Sequence, residues 1–226
     1  MDMFTLFFFI FFIVIIAVGI YMLNRRRKES RKRELAGWAF SRNLNFIDAN
    51  DEEMEDRYPH FKCLQQGKHR YAYNIIEGNI DNRMICAFDY HYETSDGKNT
   101  QDHYFSAVIL DAGLFLKPLF IRDENFLDKV ADFFGFDDID FESSEFSRKF
   151  YVKAPDRKWA YDVLHQETME FLLDSPRFTL EFHGRHVISY RKNTFTVKDF
   201  EEALHLITGI LDRLPKSLVQ ELKGKQ

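Results

Sequence analysis

The chain opens on an unbroken apolar run. Met3 to Leu23 is 21 residues without a charge, fifteen of them Phe, Leu, Ile or Val. No face of it is polar, so it lacks the stripe of a helix that packs on a soluble core. At 1.5 Å per residue it would measure about 31 Å, matching the roughly 30 Å hydrocarbon layer of a bilayer. The pattern predicts a transmembrane helix over 3–23. A cleaved signal peptide fits less well, because the apolar stretch is long and no basic n-region precedes it. Beyond Arg33 the period becomes helical, with Leu35, Trp38 and Ala39 on one side, and Asn43 is suited to a left-handed stop.

Alternation then takes over. In Met84 to Tyr92, Met84, Cys86, Phe88, Tyr90 and Tyr92 alternate with Ile85, Ala87, Asp89 and His91. Arg70 to Ile80 reads as a preceding strand, and Asp81-Asn82 as a two-residue hairpin turn between them. Asp102 to Leu110 is expected as a third strand and Leu119 to Arg122 as a fourth. Phe126, Leu127, Val130, Phe133 and Phe134 suggest a helix capped by Asp123 and stopped by Gly135. A helical region follows Pro155. Phe178 to Phe182 and His186 to Tyr190 read as a hairpin over Gly184-Arg185. Thr196 and Asp199 have capping-box spacing at the head of a long last helix, in which Val197, Phe200, Leu204, Ile207 and Leu211 recur at three and four residues. The fold class expected is α+β: one N-terminal transmembrane helix, then a mostly antiparallel sheet of hairpins with packed helices and a long C-terminal helix. The organisation expected is a span over 3–23, a basic juxtamembrane segment over 24–33, a domain over 34–214 with a subdomain break near 135, and a tail over 215–226.

Charge sharpens this layout. The whole chain carries −5. Asn24 to Arg33 carries +6 and Asp2 adds −1, leaving −10 on residues 34–226. The cations Arg25, Arg26, Arg27, Lys28, Arg31, Lys32 and Arg33 follow the apolar run directly. They are the residues expected to set topology and to contact anionic lipid headgroups, at about 1 kcal/mol per cation near the surface. The positive-inside rule places the C-terminal domain in the cytoplasm and the short N-terminus outside a bacterial inner membrane. The acidic domain argues against nucleic acid as a partner. Expected partners are the lipid bilayer and a protein whose identity no motif specifies.

The arginine-rich step after a single span, Phe88-Asp89-Tyr90-x-Tyr92, and Asp138-Ile139-Asp140-Phe141-Glu142 followed by Phe146-Ser147-Arg148 together resemble a group of uncharacterised bacterial membrane proteins with one N-terminal anchor and a cytoplasmic α+β domain. The resemblance extends over nearly the whole chain. It implies an inner-membrane location and carries no catalytic or binding residue with it.

The remaining chemistry is weighed against packing. No G-x-x-x-x-G-K, G-x-G-x-x-G or G-x-S-x-G string occurs. Cys63 and Cys86 lie 23 positions apart, and Cys86 falls on an apolar strand face, as a small core residue would. His91 and His103 flank one loop beside Asp89, Asp96 and Asp102, and His183 and His186 bracket a turn, yet no zinc spacing is present. Asp137, Asp138, Asp140 and Glu142 lack the loop of a calcium site. Tyr71, Tyr73, Tyr90, Tyr92 and Tyr104 would share a meander as core or as a binding surface. No catalytic, cofactor-binding or metal residue is assigned. The function expected is a membrane-tethered interaction or regulatory module. The alternatives are a membrane-tethered hydrolase or metal-dependent enzyme using the His91/His103 region, and an accessory subunit of a membrane complex.

Overall fold

A computed structural model describes residues 3–124 and 138–223, with the side chains of residues 3–6 and 9 outside the description. Its first element, α1 (Met3–Ser41), is a single helix of 39 residues. The basic segment does not interrupt it, because Arg, Lys and Glu are good helix formers and no Pro intervenes. Asn43, at φ 56°, ends it in the left-handed conformation. The expected transmembrane helix over 3–23 is corrected here: among the described residues no helix is long and apolar enough to cross a membrane. The uninterrupted run of described side chains without charge, Ile10 to Leu23, is about 21 Å long, against about 30 Å of hydrocarbon. Its described apolar side chains are not covered by the rest of the chain: Phe7, Phe8 and the large ones from Ile10 to Leu23 stand 46–67% exposed.

The α+β, antiparallel part of the expectation holds. Among the described residues, one six-stranded sheet contains β1 (Asn45–Ile47), β2 (Lys68–Ile80), β3 (Arg83–Ser95), β4 (Thr100–Asp123), β5 (Phe150–Lys153) and β6 (Thr179–Arg191), all paired antiparallel. Asp81 and Asn82 both take positive φ, 50° and 62°, the signature of a type I′ turn joining β2 to β3. Two expected strand boundaries differ. Leu119 to Arg122 is the far end of the 24-residue β4, not a separate strand. Phe178 to Tyr190 forms no hairpin: β6 runs straight through Gly184 and pairs with β4 from Ser106↔Arg191 to Ile121↔Leu180. A hairpin would leave one edge of so long a strand unpaired, whereas continuous pairing satisfies both. The register shifts on β4 between Asp111 and Leu119 absorb the bend opposite Gly184, whose φ is 57°.

Thus β6 lines one edge of β4, while β3 and then β5 line the other. One face of this sheet carries the larger core. The C-terminal end of α1 (Leu35, Trp38, Ala39) and α6 (Val197–Asp212) pack there on Ile76, Ile85, Ala87, Val108 and Leu110. The Trp38 ring stacks on Phe200 at 5.5 Å between centroids. The predicted capping box of α6 is formed, Thr196 and Asp199 each accepting the other's backbone N–H. The helical region after Pro155 divides into α4 (Arg157–Val163) and α5 (Gln166–Asp174), preceded by the short α3 (Ser144–Lys149). The segment read as a tail carries α7 (Lys216–Lys223), which buries Leu218 and Leu222. The opposite sheet face holds a second core of Phe88, Tyr90, Phe105 and Tyr190 under α2 (Met54–Arg57) and the 3-10 turn Lys62–Gln65. The helix expected over 126–134 and the break at Gly135 lie outside the described residues.

Candidate functional site

Along the α1-facing side of β3, alternate residues run Ile85, Ala87, Asp89, His91, Glu93, and opposite them on β4 run Leu110, Val108, Ser106, Tyr104, Asp102. The row is apolar where α1 ends and turns polar as α1 departs from the sheet. The helix changes with it. Arg31, Leu35 and Trp38 lie at i, i+4 and i+7 on one helical face, so the residue that meets the first polar row is a cation.

Arg31 grips Asp89 through two parallel bonds, Nε to Oδ2 at 2.7 Å and Nη2 to Oδ1 at 2.6 Å. Asp89 is fully buried. Its Oδ2 also accepts from Asn74 Nδ2 at 2.9 Å, and its Oδ1 from the Ser106 hydroxyl. Ser106 Oγ in turn accepts the Phe195 N–H at 2.8 Å, while the Phe195 carbonyl accepts from Arg31 Nη1 at 2.8 Å. Asn74 reaches Asp89 because it sits at a bulge of β2 with φ 51°. The network ties α1 to β2, β3, β4 and the segment leading to α6. Burial opposes the Arg31 charge, but hydrogen bonding to Asp89 and its negative charge outweigh that and raise the guanidinium pKa above its ordinary value. Beside it, burial and the Asp89 charge raise the Tyr73 phenol well above its usual range.

One row further out, His91 is buried between the rings of Tyr71 and Tyr104, at 4.7 and 4.8 Å. Its Nδ1 lies 3.2 Å from the His69 carbonyl and its Nε2 2.8 Å from Asp102 Oδ1. Glu93 stands directly across the ladder from Asp102, and Glu93 Oε2 is 2.8 Å from His69 Nδ1. One atom each from His91, Glu93 and Asp102 fall within 4.8 Å of one another.

The residues singled out in the sequence separate accordingly. Arg25, Arg26, Arg27 and Lys28 are exposed on α1. Arg31 is committed to Asp89, and Lys32 pairs with Asp48. Arg33 is exposed and its Nε donates to the Glu29 carbonyl. His103 lies opposite Tyr92, on the other sheet face from His91, stacked on that Tyr ring and 2.7 Å from Thr94 Oγ1. The tyrosines divide the same way: Tyr71, Tyr73 and Tyr104 face the α1 side, whereas Tyr90 is buried on the other, donating to the Leu64 carbonyl. His183 stacks on His60 and His186 meets Tyr58 edge-on. Burial lowers both of their pKa values, and the neighbouring His60 lowers that of His183 further. Asp138 accepts the Ile139 and Val152 N–H groups, so it closes a bridge to β5. Asp140 and Glu142 are exposed, and Asp137 lies outside the described residues. Sequence reading missed the Arg31–Asp89 pair. Its signal was available: an Asp interrupting an apolar alternate set, and a cation seven residues ahead of a core Trp.

No protein-family model and no curated protein sequence matches the chain. Among solved structures, the crystal structure of the mycobacterial trehalose monomycolate transport factor A, TtfA, matches with a TM-score of 0.60 at 13% identity, covering 80% of this chain and 92% of that one. The likeness is one of fold. It covers most of both chains, and at that identity it transfers no residue roles.

Proposed function

We propose that the protein is an accessory interaction module working at the bacterial inner membrane, with its α+β domain on the cytoplasmic side and α1 as the element that attaches it. The observation carrying this reading is the contrast along α1. Its C-terminal third is keyed into the domain through Leu35, Trp38 and Arg31, while Phe7, Phe8 and the large apolar residues from Ile10 to Leu23 are left uncovered. An apolar surface of that extent calls for a covering partner. Arg25 to Lys28 follow it, where an anionic cytoplasmic leaflet would attract them. TtfA, whose name describes a transport factor, supports an accessory role by fold alone. The test is fractionation of cells producing either the full chain or a chain starting at residue 30. The full chain is expected in the membrane fraction and the shorter one in the soluble fraction. Recovery of both in the soluble fraction would overturn the reading.

A further inference from the structure

We propose that His91, Glu93 and Asp102 form a binding site for a divalent transition-metal ion at the open end of the β2–β3–β4 face. The His91 ring is held at both of its nitrogens. The His69 carbonyl, which can only accept, lies 3.2 Å from His91 Nδ1, so it suits a ring protonated there. Nε2 of a neutral ring then presents its lone pair to Asp102 Oδ1 at 2.8 Å. Nε2 and Asp102 Oδ1 can therefore share a cation held between them. A carbonyl holding the far nitrogen of a histidine is also the usual way a metal-ligating imidazole is oriented.

The charges at this end of the sheet suit a cation. Glu93 and Asp102 are directly opposed on neighbouring strands, an arrangement that repels unless compensated. One atom each from His91, Glu93 and Asp102 lies within 4.8 Å of the others, so a divalent ion placed among them would meet both carboxylates and the imidazole. The site is built as well as charged. The Tyr71 and Tyr104 rings confine the His91 ring, and Gly67, at φ 63°, lies where a Cβ would come within 2.2 Å of the Glu93 carbonyl oxygen. The bulge on β2 turns His69, at φ 49°, so that its Nδ1 holds Glu93 Oε2 at 2.8 Å. Ligands around a tetrahedral ion at about 2.0–2.1 Å sit roughly 3.3 Å apart. The His91–Asp102 pair must therefore open by about half an ångström, which the exposed Asp102 side chain allows. One imidazole with two carboxylates suits zinc, cobalt, manganese or iron, and three protein ligands leave a position open on the solvent side.

The test uses the full-length chain in detergent, stripped with chelator and titrated with Co²⁺ while its visible absorption is followed, then with Zn²⁺ in competition. One-to-one uptake is expected, with Zn²⁺ raising the Tm. Asp102→Asn and Glu93→Gln, at side chains that reach solvent, should each weaken binding by about tenfold or more and abolish the Tm shift. His103→Gln, on the other sheet face, should leave both unchanged. Absence of saturable one-to-one uptake by the unsubstituted chain would overturn the proposal, as would uptake that is indifferent to Asp102→Asn and Glu93→Gln.

Discussion

Asp89 and Arg31 show how a single pair can matter more than the count of charges around it. Asp89 has no access to water, and both of its oxygens are filled by Arg31, Asn74 and Ser106. Removing Arg31 leaves a buried carboxylate without its cation, a change that costs about 3–5 kcal/mol in comparable sites. Arg31→Ala is therefore expected to lower stability in denaturant titration by about that amount. Adding Asp89→Ala to it should recover part of the loss, giving a coupling energy above about 1 kcal/mol in a double-mutant cycle. Glu181, on the other face, works in the opposite sense. It is fully buried, where it accepts the Lys62 N–H and the Tyr190 hydroxyl, and burial outweighs these bonds and pushes its pKa up to about 7. Its ordinary value in the unfolded chain is 4.5. Between those values the native state holds more protons than the unfolded one, so stability falls as pH rises through that window and levels off above it. The span corresponds to about 3 kcal/mol at about 1.4 kcal/mol per pH unit. In Glu181→Gln the fall from pH 4.5 to 7 should be flattened, which chemical denaturation at a series of pH values would check.

Elements meet through positions that permit close approach. Gly209 in α6 lies so near α5 that a Cβ would come within 2.3 Å of Phe171 Cζ. Alanine there gains up to about 1 kcal/mol in helix propensity and incurs about 1–3 kcal/mol in overpacking. Overpacking wins: Gly209→Ala is expected to lower the Tm, and to become neutral or stabilising when Phe171→Leu relieves the contact. The strands show how much of an element can be read locally. The Asp81-Asn82 turn and the Thr196/Asp199 box were both legible, because each is decided by residues within a few positions of one another. The Gly184 site carried an equally local hairpin signal, and there the signal failed. The 24-residue β4 presents a long edge, and pairing with all of it outweighs one turn preference.

At the scale of the molecule, the two ends of α1 differ in what covers them. Leu35, Trp38 and Ala39 complete the core over Ile76, Ile85, Ala87 and Val108, and Trp38 Nε1 donates to Glu201. A chain starting at residue 30 keeps these contacts and the Arg31–Asp89 pair, and should melt cooperatively near the Tm of the full chain. A chain starting at residue 45 uncovers that sheet face and should lose cooperative melting or aggregate, as thermal unfolding followed by circular dichroism would show. The exposed cations predict a salt effect. Replacing Arg25, Arg26, Arg27 and Lys28 with Gln should weaken attachment to anionic vesicles and reduce its sensitivity to salt.

By itself the sequence determined the α+β class, the β2–β3 turn, the cap of α6, the left-handed stop at Asn43 and the separation of a basic segment from an acidic domain. Each of these depends on period, turn chemistry or composition within a short window, and such local preferences survive folding when nothing distant opposes them. Only the tertiary structure decided that α1 is one continuous helix anchored by Arg31 on Asp89, that β6 is one strand, and that His91 turns away from His103 toward Glu93 and Asp102. Those outcomes depend on which surfaces meet. Asp89 becomes a partner for Arg31, 58 residues away, only when a sheet face and a helix face are buried against each other. The parity that separates His91 from His103 is set by the β3–β4 register, which no single strand contains.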